Sequence, residues 1–218
     1  MLPASPLFCT ASETYVPEPS KNHDLHGNAP DASPVALLIV DMINDLDFPG
    51  NEYLIELAPA LAENIASLKR ACKQHRIPVI YANDNRGRWR SDFPRVLAEA
   101  TRTESKGRNM VQRIAPDEED YIILKPKHSA FYATPLDVIL TYLQVKTIII
   151  AGITTNSCVM LTVSDAYVRD LKTLLVSECV AGQSEEDQRK AIERMEQDFA
   201  AKVVRMQDLD LEALRRAS

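Results

Sequence analysis

The chain of 218 residues has no apolar run approaching the roughly 20 residues that a bilayer-spanning helix needs. It has no basic excess either. Its 25 Lys and Arg against 31 Asp and Glu give a formal net charge of -6, which argues against nucleic acid or an anionic membrane surface as the main partner. Its four cysteines, Cys9, Cys72, Cys158 and Cys179, show no short paired spacing, so neither a disulfide framework nor a zinc knuckle is expected. The histidines at 23, 26, 75 and 128 form no metal-ligand spacing. The first residues lack a basic segment followed by a continuous apolar one, so they do not read as a secretory signal. Internal repeats and low-complexity tracts are missing too. A soluble protein of the reducing cytoplasm, acting on a small molecule, fits these absences.

What is present suits one domain with a substantial core: 45% of residues are hydrophobic and 26% charged. Residues 1–33, rich in Pro, Ser, Asn and His, read as an irregular arm, with the domain proper over 34–218. From Val35 strand and helix patterns alternate. Apolar runs predict strands at Val35–Val40, Pro78–Ala82, Tyr121–Leu124, Thr147–Ala151, Lys172–Val176 and Lys202–Met206. Helical spacing marks Glu52–His75, with Pro59 as a possible late start, then Phe93–Thr101, Gly107–Ile114, Pro135–Leu143, Asn156–Asp170 and Glu185–Ala200. A last helix is predicted over Asp208–Arg215 with Asp208 as its cap. The alternation implies a three-layer α/β/α fold around a six-stranded, mainly parallel sheet.

In such a sheet all strands point their carboxyl ends one way, and ligands bind there. Three chemically capable residues fall at those ends. Asp41 ends the first predicted strand, Lys125 follows the third, and Cys158 follows the fourth across Gly152, which breaks that strand. Thr155 and Asn156 are good helix caps, which would put Cys158 in a first helical turn, where the dipole favours thiolate. Each residue has an ordinary structural explanation as well. Cys158 could be a small core residue, Asp41 the cap of a turn and Lys125 a surface ion-pair partner. Taken together they form a coherent site: Asp41 as general base, Lys125 stabilising both anions, Cys158 as nucleophile, and backbone N–H groups near Thr154 and Cys158 as an oxyanion hole. Cys179, with no helix start directly after it, reads as packing.

Three blocks resemble the isochorismatase-like, or cysteine, hydrolases: Leu37-Leu-Ile-Val-Asp41-Met-Ile-Asn-Asp45, Lys125-Pro-Lys-His-Ser-Ala-Phe131-Tyr-Ala-Thr134 and Gly152-Ile-Thr-Thr-Asn-Ser-Cys158-Val-Met-Leu-Thr162. The resemblance covers about Val35 to Met206. It implies a catalytic triad of Asp41, Lys125 and Cys158, and a cis peptide between Ile153 and Thr154 that aims the Thr154 N–H into the site. Relatives that are nicotinamidases carry an Asp-x-His metal motif after the second strand. The matching stretch, Asn83-Asp-Asn-Arg-Gly-Arg-Trp, has no histidine, so neither metal nor cofactor is expected. Members that cleave the isochorismate vinyl ether lack the cysteine, so Cys158 points to the C–N bond of an amide, carbamoyl or ureido compound. A vinyl-ether hydrolase and a non-catalytic binding member of the fold are the alternatives. His128 and Phe131 are candidate pocket residues. Within Arg86-Gly-Arg-Trp-Arg90, Arg88 and Trp89 are candidates for holding an acidic substrate group. The resemblance also implies a homodimer or homotetramer.

Overall fold

The computed structural model describes residues 32–88 and 90–216; the N-terminal arm read from the sequence, and Trp89, lie outside the described residues apart from positions 32 and 33. Six strands, β1 (Val35–Val40), β2 (Val79–Asp84), β3 (Tyr121–Lys125), β4 (Thr147–Ile153), β5 (Lys172–Ala181) and β6 (Lys202–Val204), form one sheet in the order β3-β2-β1-β4-β5-β6. Every neighbouring pair is parallel. The helices are α1 (Glu52–Gln74), α2 (Phe93–Ala100), α3 (Arg108–Ile114), α4 (Leu136–Tyr142), α5 (Met160–Tyr167), α6 (Glu185–Phe199) and α7 (Leu211–Arg216).

β1 is apolar throughout because both its faces are covered. Val35, Leu37 and Ile39 pack with α1, α2, α3 and α7, while Ala36, Leu38 and Val40 pack with α4, α5 and α6. The expected three layers are therefore present. Among the described residues no helix is long and apolar enough to cross a membrane.

Several boundaries differ from the sequence-based expectation. Pro59 does not start α1 but lies inside it; the helix begins at Glu52 and keeps nine buried residues along one stripe, while Pro59 itself is exposed. A proline removes one backbone bond, and on a solvated face water can take its place. Gly152 does not end β4 but continues it, at a φ of 124°. β5 runs five residues past Val176, because the register with β4 shifts between Ile150 and Gly152 and the polar pair Ser177-Glu178 is accommodated in that irregularity. β6 stops at Val204, since the Met206 N–H is taken by the Glu178 carboxylate. The last helix starts at Leu211, with Asp210, not Asp208, accepting from the Ala213 N–H at 2.9 Å.

Gly152 holds the two central strands at close approach. A Cβ there would lie 2.0 Å from the Val40 carbonyl oxygen, and the positive φ disfavours any side chain. Gly152→Ala is expected to lower unfolding free energy by about 3 kcal/mol, the sum of backbone strain and overpacking. Urea unfolding checks this; a loss under about 1 kcal/mol would mean that the β1–β4 contact yields easily.

Candidate active site

The strand order places β1 beside β4, with β2 and β3 built out on one side and β5 and β6 on the other. The chain reverses its direction of growth across the sheet at β1 and β4, which is where an open parallel sheet leaves a crevice at its carboxyl end. Register aligns the ends: Val40 pairs with Ala82 and with Gly152, and Asp84 pairs with Lys125. Asp41, Asp84, Lys125 and the turn after Ile153 therefore share one edge.

Asp41 has a φ of 54°, a left-handed conformation that aspartate tolerates better than most residues. Its backbone N–H donates to the Ala82 carbonyl at 3.0 Å. Asn83 clamps the following turn, accepting from the Ile43 N–H at 3.1 Å and donating to the Ile43 carbonyl at 2.8 Å. The Asp84 N–H donates to Asp41 Oδ1 at 2.7 Å. On the other oxygen, Asp41 Oδ2 lies 2.8 Å from Lys125 Nζ. The Lys125 side chain, fully buried, reaches across from β3 under β2. Its ammonium lies 3.2 Å from the Lys127 carbonyl oxygen, 3.6 Å from Cys158 Sγ and 3.8 Å from Asp84 Oδ2. Lys125 Nζ thus stands between the Asp41 carboxylate and the Cys158 sulfur, and the charge of Asp41 acts on that thiol.

Cys158 does not stand in an ordinary first turn. Thr155–Val159 forms a π-helical turn, and α5 begins only at Met160. The Val159 N–H reaches back five residues to the Thr154 carbonyl at 3.2 Å, and neither Thr155 nor Asn156 caps a helix with its side chain. Such widened turns recur at functional sites. The Ile153–Thr154 peptide is cis, as the resemblance implies.

The electrostatics differ from the sequence-based expectation as well. Burial, followed by the negative charge of Asp41, pushes the Cys158 thiol up to about 12, with Lys125 acting in the opposite direction. Burial also raises the Asp41 carboxyl, against the pull of Lys125. Burial alone would lower the Lys125 ammonium, but the charges of Asp41 and Cys158 outweigh it and hold it above the usual value. Lys125 is thus held as an ammonium, beside a carboxyl and a thiol that burial disposes to keep a proton.

A cavity of about 430 Å³ opens over these groups and is lined by Asp41, Cys158, Thr154 and Ser157 together with residues from the turns after β1 and β2. His128 lines it, with Nδ1 3.6 Å from Cys158 Sγ. Phe131 and Arg88 are not in its wall. Phe131 is buried in the α4–α5 side of the core, with the Arg169 guanidinium 4.6 Å from its ring centre. Arg88 is exposed and paired with Glu99 at 2.5 Å. The arginine that does reach the cavity is Arg86, whose guanidinium fork donates twice to Asp45, both at 2.7 Å. That hydrogen-bonded guanidinium holds the Asp45 carboxyl below the usual carboxylate range. Asp84, Asn83 and Gln183 are wall residues not singled out from the sequence. Asp84 obeys the same rule that marked Asp41 and Lys125, as the polar residue that ends a strand. Cys72 and Cys179 are fully buried in the α1 side of the core. A larger hollow, about 740 Å³, opens at the opposite end of the sheet and holds no cysteine, serine or histidine.

The isochorismatase domain family matches residues 35–208. The chain belongs to the isochorismatase-like hydrolase superfamily. It is 42% identical over 168 residues to the uncharacterized isochorismatase family protein YaaI of Bacillus subtilis, a match covering 77% of this chain and 92% of that protein. It is 27% identical over 167 residues to the N-carbamoylsarcosine amidase of Arthrobacter sp, covering 71% of this chain and 60% of the amidase. Among solved structures, a cysteine hydrolase from Pseudomonas syringae pv. phaseolicola superposes with a TM-score of 0.65 at 24% identity, covering 84% of this chain and 92% of that one.

Proposed function

We propose that the cavity over Cys158 is the active site of a cysteine hydrolase that cleaves the C–N bond of a small amide, carbamoyl or ureido compound through a thioester. The observation that carries this reading is the convergence of three side chains from separate strand ends: the Lys125 ammonium lies 2.8 Å from Asp41 Oδ2 and 3.6 Å from Cys158 Sγ. A thiol pushed up to about 12 is a poor nucleophile until it is deprotonated, and a partnered carboxylate is the group suited to do so.

Asp41 takes the thiol proton as the sulfur attacks the carbonyl carbon. The developing oxyanion is met by the backbone N–H groups of Thr154 and Cys158, both in the cavity wall. Asp41, now protonated, gives its proton to the leaving nitrogen, and the C–N bond breaks to leave a thioester on Cys158. Water then enters and Asp41 takes one of its protons. The water oxygen attacks the thioester carbonyl, the C–S bond breaks, and the proton returns to the thiolate. Lys125 keeps its proton throughout and offsets whichever of the two anions is present. The reaction uses no metal and no cofactor. The amidase named among the relatives supports an amide-type substrate.

A panel of small primary amides and ureido acids, assayed for ammonia release with intact-mass detection of the enzyme, tests the reading. The expected result is release accompanied by an acyl adduct on Cys158, with both lost after alkylation by iodoacetamide. Ammonia release that survives alkylation of Cys158 would overturn it.

A further inference from the structure

Four carboxylates line the cavity, from Asp41, Asp45, Asp47 and Asp84, against a single guanidinium from Arg86. That guanidinium is not available to a ligand. Both its terminal nitrogens donate to Asp45, whose side chain is only 6% exposed, in the two-pronged geometry that arginine offers a bound carboxylate. The site therefore carries its own carboxylate where an acidic substrate would need to dock. Beneath the floor, one ammonium serves two carboxylates: Lys125 lies 2.8 Å from Asp41 and 3.8 Å from Asp84. With the thiol protonated, that inner group is one negative charge in excess. The Asp84 side chain, 36% exposed, presents this excess to the cavity.

Three other cations near the cavity are paired and stand outside its wall. Lys106 pairs with Asp47 at 3.2 Å, Arg88 with Glu99 at 2.5 Å, and Arg102 lies 4.0 Å from Asp45. About half or more of each of these side chains is in solvent, where a charge is well screened.

We infer that the cavity selects amides whose non-reacting end is neutral or positively charged and rejects those carrying a carboxylate, with Asp84 and the Asp45–Arg86 pair as its specificity determinants. This rests on the reading of the cavity as the amide-binding site. The physical reason is differential. An anionic ligand would meet Asp84 with no unpaired cation to offset it, whereas a cationic one gains a partner.

The test uses Cys158 as a reporter of the charge that the cavity admits. The purified protein is treated with 2-(trimethylammonio)ethyl methanethiosulfonate or with 2-sulfonatoethyl methanethiosulfonate, at about pH 8. Modification of the Cys158 peptide is followed by mass spectrometry, and each rate is divided by that for 2-mercaptoethanol. The expected result is a normalised preference of about 10-fold or more for the cationic reagent, shrinking as salt is added. Asp84→Asn is expected to reduce it roughly threefold or more, and Asp45→Asn, by releasing Arg86, to speed the anionic reagent. Among matched primary amides, turnover is expected to fall in the order 3-aminopropanamide, butanamide, succinamate.

Equal normalised rates, an anionic preference, or fastest turnover of succinamate would overturn the inference. Because the thiosulfonates react with an accessible thiolate whether or not the protein hydrolyses amides, the two proposals fail separately. A cationic preference without any acyl adduct removes the hydrolase reading alone. An acyl adduct together with an anionic preference removes the charge selection alone.

Discussion

Asp41→Asn is expected to lower kcat/KM on any amide substrate by about 10³-fold or more, while making the Cys158 thiol easier to ionise. The two effects have one origin. Asp41 moves a proton in both halves of the proposed cycle, and positioned acid–base groups of this kind contribute about 10²- to 10⁴-fold. An amide side chain of the same shape cannot take the thiol proton or return it to the leaving nitrogen.

The thiol responds in the opposite sense. In the native site it stands at about 12, first through burial and second through the negative charge of Asp41, with Lys125 pulling it down. The Asn variant keeps the burial and loses the negative charge, while Lys125 retains Asp84 at 3.8 Å and the Lys127 carbonyl at 3.2 Å. The sulfur then has a cation beside it and no competing carboxylate in contact. The pH midpoint of alkylation by iodoacetamide at Cys158 should therefore move down even as hydrolysis is lost. A variant that merely disturbed packing would lose activity without acquiring a more acidic thiol. An unchanged or higher midpoint, or turnover within about 10-fold of the native enzyme, would remove Asp41 from the role of base.

How much of this was legible in the sequence follows from what each signal depends on. Strands covered on both faces leave continuous apolar runs, so all six strands and their common direction could be read from Val35 onward. The residues ending those strands could be read too, because parallel order sends all the ends to one edge. Exceptions to local rules were not legible. Ser177-Glu178 looks like a strand end because a register irregularity has no composition of its own. Pro59 looks like a helix start because nothing local says that the buried stripe of α1 continues through it. The arginines were the hardest. Arg86 and Arg88 are two residues apart and chemically alike, and what separates them is their partners. Asp45 lies 41 residues from Arg86 in sequence, and Glu99 lies 11 from Arg88. The thiol's ionisation likewise depends on partners distant in sequence. The helix start near Thr155 can be read locally, but the burial of the thiol and, after it, the carboxylate arriving from β1, which together raise it, cannot.

Lys125→Met should separate charge from packing in the floor of the cavity. Methionine fills a similar volume without an ammonium, so the buried space stays occupied. What remains is a carboxylate, only 5% exposed at Asp41, whose cation has gone. Removing one partner of a buried pair typically costs about 3–5 kcal/mol, because the other charge is left without compensation. Near pH 8 a loss of about that size is expected by urea unfolding. The dependence on pH is the sharper readout. Burial already raises the Asp41 carboxyl in the native protein, and Lys125 is the largest influence holding it down. Without Lys125 the folded variant keeps the Asp41 proton to a higher pH, whereas the unfolded chain has an ordinary aspartate. Between those two values the folded state binds one more proton than the unfolded state, so stability falls as pH rises. The variant's deficit against the native protein should therefore be small in acid, where Asp41 is protonated in both states, and grow as pH rises through the folded value. The variant should also lose hydrolysis, since neither the Asp41 carboxylate nor a Cys158 thiolate is then offset. A deficit that stayed constant with pH would show that Lys125 contributes through its stem and not through its charge.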